Sequence, residues 1–120
     1  MSIKPLLMLS RLAGWMAVAV IAILSLVPGR ARPHVLASSH AEHLAAYFIA
    51  AALLTLGYPL RRDAAMIAML LPIYAALLEL LQLWVPDRMA RPNDVVAGTL
   101  GAWSGIACAM LTRWLAGRST

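Results

Sequence analysis

Charge is what this chain has least of. Only 12% of its residues are Asp, Glu, Lys or Arg, against about 25% in soluble domains. With 62% hydrophobic residues and a mean hydropathy of +0.80, that scarcity excludes a disordered segment, a collagen-like repeat and an ordinary water-soluble globule. Cysteine is nearly absent. The single Cys108 has no intramolecular partner, so no disulfide framework assigns the chain to a compartment. Also lacking are internal repeats, low-complexity tracts, a glycine-rich phosphate loop, a Gly-x-Ser-x-Gly element and a His-Glu-x-x-His zinc motif. At 120 residues the chain is too short for a multidomain enzyme, since one domain usually takes about 100–200 residues. What is left is a small, all-α, polytopic membrane protein, read as a single domain over residues 1–120.

A membrane-spanning helix takes about 20 apolar residues. Stretches at about 8–27, 41–57, 64–85 and 94–115 are read as four such spans, which predicts a four-transmembrane-helix bundle. Pro28-Gly29-Arg30 ends the first, because proline and glycine stop a helix and arginine leaves lipid. Pro72 falls inside the third. In a membrane that is read as a kink whose freed carbonyl a neighbouring helix re-satisfies. Lys4, Arg11 and Val35-Leu36-Ala37 resemble parts of a signal peptide, but Arg30, Arg32 and Pro33 interrupt it and the apolar stretch is too long. The first span is therefore expected to stay.

With four spans, both termini share a side. Lys4, Arg11, Arg61, Arg62, Arg113 and Arg118 lie there, and Arg30, Arg32, Arg88 and Arg91 lie opposite. The larger share favours cytoplasmic termini. The net charge of +5 is then topology and contact with anionic lipid, with no nucleic-acid partner, because no compact basic patch with interleaved aromatics is present.

The informative residues are polar ones in apolar surroundings. A carboxylate at a span centre costs about 2.5–3.5 kcal/mol, and Glu79 stands well inside the third span, with Gln82 on the same face. His43 and Tyr47 open the second span at i, i+4, so they share a face. Asp94 opens the fourth, and Arg88 and Arg91 precede it. The second span begins, the third ends and the fourth begins on one side of the membrane. All these residues therefore belong to one half of the bilayer, the outward half by the charge bias.

Each has a plainer reading. Asn93 or Asp94 suits a helix cap. Arg88 suits an interfacial anchor. Arg91 suits a structural ion pair with Glu79 or Asp94, and Gln82 a helix–helix hydrogen bond. Tyr47 suits the aromatic belt. Glu79 is the exception, an intramembrane ionisable group being functional by default. His40 and His43 share a face, and Glu79 could add a third ligand, but the spacing matches no established zinc motif. Neither a metal nor another cofactor is expected. Ala97, Gly101 and Gly105 form a small-residue stripe suited to close helix packing.

The ordered set of these pieces resembles the VanZ-like family of small membrane proteins. The matching residues are Ser25-Leu26-Val27-Pro28, Glu42-His43 with Tyr47, Glu79 and Gln82, Pro86-Asp87-Arg88, then Asp94 with Gly101 and Gly105. Members often carry Asp-Lys where this chain has Ser39 and His40, and Asn where it has Gly98. The resemblance implies a bacterial inner-membrane protein. The family's founding member is linked to lowered susceptibility to teicoplanin, and no reaction carries over.

Three functions compete. In the first, an outward pocket binds or modifies a cell-envelope amphiphile, a membrane lipid or lipid-linked precursor. Arg88 and Arg91 clamp its anion, Glu79 and Asp94 orient them, and His43, Tyr47 and Gln82 complete the hydrogen bonds. In the second, His43 and Glu79 are the candidates for catalysis in an intramembrane lipid-phosphate hydrolase or transferase. In the third, the chain is a structural accessory of a larger membrane partner or a homo-oligomer.

Overall fold

The computed structural model describes residues 3–27, 39–86 and 91–118. Among the described residues are four α-helices, one 3₁₀ turn and no strand. Helix α1 is Lys4–Leu26, α2 is Ser39–Gly57, α3 is Arg61–Leu81 and α4 is Pro92–Arg118, with the 3₁₀ turn Gln82–Trp84 continuing α3. Each helix coincides with one of the expected stretches. Three of them, Lys4–Leu26, Arg61–Trp84 and Pro92–Gly117, are long and apolar enough to cross a membrane. Helix α2 stands apart because His40, Glu42 and His43 occupy its first turns.

Helix ends follow local chemistry. Pro5 lies in the first turn of α1 and Pro92 opens α4, where a missing N–H costs no intrahelical bond. Helix α1 stops at Leu26, and the backbone of Val27 is extended. The expected stop at Pro28-Gly29-Arg30 lies outside the described residues. The last carbonyls of α2 have no partners of their own within the helix. The Leu54 carbonyl accepts from the Tyr58 N–H at 2.9 Å, Thr55 from the Arg113 guanidinium at 3.2 Å, and Gly57 from Arg11 Nε at 2.6 Å. Basic residues read from sequence as flanking charge thus cap a helix, at the end where its dipole favours cations.

Pro72 lies inside α3 and leaves the Ala68 carbonyl without its usual donor. Trp103 Nε1 of α4 donates to that carbonyl at 2.9 Å. The expected re-satisfaction by a neighbouring helix is found there.

Helices α2 and α4 form the closest pair. A Cβ on Gly101 would collide with the Leu44 carbonyl, and one on Gly105 with the Phe48 carbonyl. Ala97, Ala102 and Ala109 are buried along the same helix. The small-residue stripe is therefore a seam between backbones, held by van der Waals contact where lipid supplies no hydrophobic drive. The outer surface carries exposed Leu6, Met16, Ile23, Met69, Leu77 and Leu111, as a lipid-facing surface does. Helices α1 and α3 touch each other sparsely. Between them and the end of α2 lies a largely apolar groove of about 480 Å³, running from Tyr58 and Asp63 to Tyr74. At the bundle end beyond Tyr74, α1 and α3 finish and α2 and α4 begin, and the polar residues gather.

Candidate functional site

The centre of the polar end is His43, in the second turn of α2. Its Nε2 is 3.9 Å from Glu79 Oε1, and its Nδ1 is 3.9 Å from Asp94 Oδ2. One imidazole thus stands between two carboxylates, one from α3 and one from α4. Glu79 is 8% exposed and Asp94 4%, so both carboxylates are held away from solvent. His40, one turn earlier and half exposed, places Nε2 3.5 Å from Asp94 Oδ1.

Each group is positioned by its element. Glu79 Oε2 accepts the Arg91 backbone N–H at 2.6 Å. Arg91 immediately precedes Pro92, so a glutamate from α3 satisfies a donor at the start of α4. A Glu three residues into the same helix usually does that work. Asp94 is the third residue of α4, where the positive end of the helix dipole favours a carboxylate. His43 lies over Tyr47, with ring centroids 6.4 Å apart and planes within 11°. Tyr47 is 1% exposed, and its ring also meets that of Tyr74, at 6.4 Å between centroids. Tyr74 in turn donates its hydroxyl to the Val18 carbonyl of α1 at 2.6 Å.

Several plainer readings are thereby corrected, and that of Gln82 is found. Tyr47 is no belt aromatic: it is fully packed beneath the imidazole. The start of α4 at Pro92 puts Asn93 and Asp94 inside the helix rather than at its cap, and the Asp94 carboxylate faces His40 and His43. Arg91 meets Glu79 through its backbone N–H, and the residue itself is exposed. Gln82 makes the helix–helix bond, its Nε2 donating to the Ser25 carbonyl of α1 at 3.0 Å. Arg88 lies outside the described residues. The structure therefore brings together His43, Tyr47, Glu79, Asp94 and the backbone of Arg91. It gives Gln82 a bond to α1.

One ligand atom from each of His43, Glu79 and Asp94 lies within 4.8 Å of the others. Among the described residues these three could hold a metal ion, and they differ from the His40, His43 and Glu79 set weighed from sequence. Sequence reading missed Tyr74. Its signal was a hydroxylated aromatic in mid-span, far from either interface.

A family model described as VanZ/LLP1 matches residues 6–113. The chain belongs to the VanZ/LLP1 family. The match takes in every residue of the cluster. No curated protein and no solved structure matched the chain. In this VanZ/LLP1 chain His40 reaches Asp94, its Nε2 3.5 Å from Oδ1. At Gly98, a Cβ would lie 3.1 Å from Tyr47 Cδ2, so the tyrosine ring takes the room that a larger residue would need.

Proposed function

We propose that this VanZ/LLP1 chain crosses the bacterial inner membrane four times, α2 included, with both termini in the cytoplasm. Its polar end opens to the outer leaflet and binds or modifies the head group of a cell-envelope amphiphile. The observation that carries this reading is the gathering of His43, Glu79 and Asp94 from three helices at one end of an apolar bundle. Buried ionisable groups in a membrane mark functional sites. The groove between α1 and α3 adds support. It ends at Tyr74, five residues before Glu79 and so roughly 7.5 Å from it along the helix, and Tyr74 touches Tyr47 beneath His43. An acyl chain in that groove brings its head group to the cluster. Arg91, exposed at the rim, supplies a cation for an anionic head group. Altered teicoplanin susceptibility is the cellular readout that this reading proposes.

Native mass spectrometry of the full chain released from detergent tests it. Retained anionic phospholipid or lipid-linked saccharide is expected in the wild type, with loss in Arg91→Ala and in the groove-filling Ile67→Trp. Equal retention in all three proteins would sink the reading. A lipid-phosphate hydrolase or transferase is the second reading. It is favoured by one feature: a carboxylate stands beside each nitrogen of His43, so groups able to exchange a proton flank a candidate general acid–base residue. Turnover of lipid phosphate by the purified protein, with and without divalent metal, decides between binding and catalysis.

A further inference from the structure

We infer that His43, Glu79 and Asp94 bind a divalent transition-metal ion of the Zn²⁺ type, clamped between α2, α3 and α4. The donor set comes first. One imidazole and two carboxylates suit zinc, manganese or ferrous iron better than magnesium or calcium, which favour oxygen-only sites. Three protein ligands with a remaining open position is the pattern of reactive rather than structural zinc sites.

Geometry is the second argument. A zinc ion bound at about 2.0–2.2 Å separates tetrahedral ligand atoms by roughly 3.3–3.6 Å. One ligand atom from each residue lies within 4.8 Å of the other two, and the carboxylates approach different nitrogens of His43, Glu79 at Nε2 and Asp94 at Nδ1, each at 3.9 Å. A charge-assisted hydrogen bond between imidazole and carboxylate would draw them to about 2.7–2.9 Å. At 3.9 Å neither pair makes that bond, and an ion would draw the three ligand atoms together by up to about 1 Å.

Preorganisation is the third. Glu79 is anchored through Oε2 to the Arg91 N–H, which leaves Oε1 facing His43. His43 is steadied by the Tyr47 ring, and Asp94 sits in a helical turn whose dipole favours its charge. Every donor is on a helix, and such scaffolds hold ligand geometry better than loops. His40, 3.5 Å from Asp94, holds that carboxylate from the solvent side. The ion would complement the amphiphile reading by offering its open position to a head group. The inference does not depend on that reading.

The test uses the full chain in detergent, stripped by chelator and titrated with Co²⁺, then Zn²⁺. A saturable visible absorption band from Co²⁺, abolished by competing Zn²⁺, is expected. Zn²⁺ should also raise the melting temperature of the wild type. His43→Ala, Glu79→Gln and Asp94→Asn should each weaken binding at least about tenfold, a loss of the size seen when residues supporting a metal site are removed. Gln82→Leu should leave it unchanged. Absence of both the band and the thermal shift in the wild type would overturn the inference. So would a saturable site that survives in well-folded Glu79→Gln and Asp94→Asn. Phospholipid retention is measured separately, so a protein that keeps its lipid without binding metal refutes only the metal.

Discussion

At the scale of single residues, Glu79 does two jobs with two oxygens. Oε1 faces His43, and Oε2 accepts the first N–H of the α4 region. Glu79→Ala removes the acceptor and is expected to cost about 1–3 kcal/mol, the penalty for a buried donor left unpaired. Glu79→Gln keeps an acceptor oxygen and should cost less. Thermal melts of the two variants in detergent check the difference, and equal melting points would rule out the capping role. Gln82 is the contrasting case. Its bond to the Ser25 carbonyl is structural, so Gln82→Leu should cost about 0.6 kcal/mol, the mean for interhelical hydrogen bonds in membranes, and leave lipid retention intact. Glu79 was legible from sequence because a carboxylate in an apolar stretch has few innocent explanations. Tyr47 was not, because i, i+4 spacing says that it shares a face with His43 but not which way that face points. The seat of Tyr47 against Gly98 and Tyr74 depends on two other helices.

At the scale of elements, proline and glycine carry most of the information. Pro72 and Trp103 are coupled through one carbonyl, that of Ala68. Trp103→Phe should destabilise the wild type by about 1 kcal/mol. In a Pro72→Ala background the cost should be smaller, because the alanine restores the missing backbone N–H. Full additivity in that double-mutant cycle would show that the indole does not serve the freed carbonyl. The α2–α4 seam is less forgiving. At Gly101 and Gly105 any side chain meets backbone, not a flexible tip. Gly105→Leu should therefore force the helices apart and lower folded yield in the membrane well below that of Gly117→Leu, where a Cβ meets nothing within 4 Å. Helix existence was readable from apolar length alone. The capping of α2 by Arg11 and Arg113 was not, because those residues are remote in sequence from the carbonyls they satisfy.

At the scale of the whole molecule, the open question of chemistry becomes one of sidedness. With Cys108→Ser as background, single cysteines replace Leu60, between α2 and α3, and Asn93, at the start of α4. An impermeant thiol reagent on intact cells should label the Asn93→Cys protein and spare the Leu60→Cys protein until lysis. Labelling of both from outside would mean that α3 does not span. The reverse pattern would turn the polar end to the cytoplasm and direct the search for its ligand to the inner leaflet. The same experiment bears on α2. Its polar first turns keep its composition below that of the other helices, yet those turns lie at the end where His43 meets Glu79 and Asp94.

By itself the sequence determined the class, the helices, the small-residue seam and the family, because each is written in local pattern: apolar length, residue size, and the order of a few polar groups. It also placed the polar residues at one end, since connectivity alone decides which helix ends share a side. Only the tertiary structure decided which of them meet. His43 faces Asp94 as well as Glu79, Arg91 contributes its backbone, Gln82 turns to α1, and Tyr47 is buried. Those outcomes depend on the rotation and separation of helices packed against one another. Helix rotation is set by the sum of many small contacts along the α2–α4 seam, and no single stretch of sequence carries that sum.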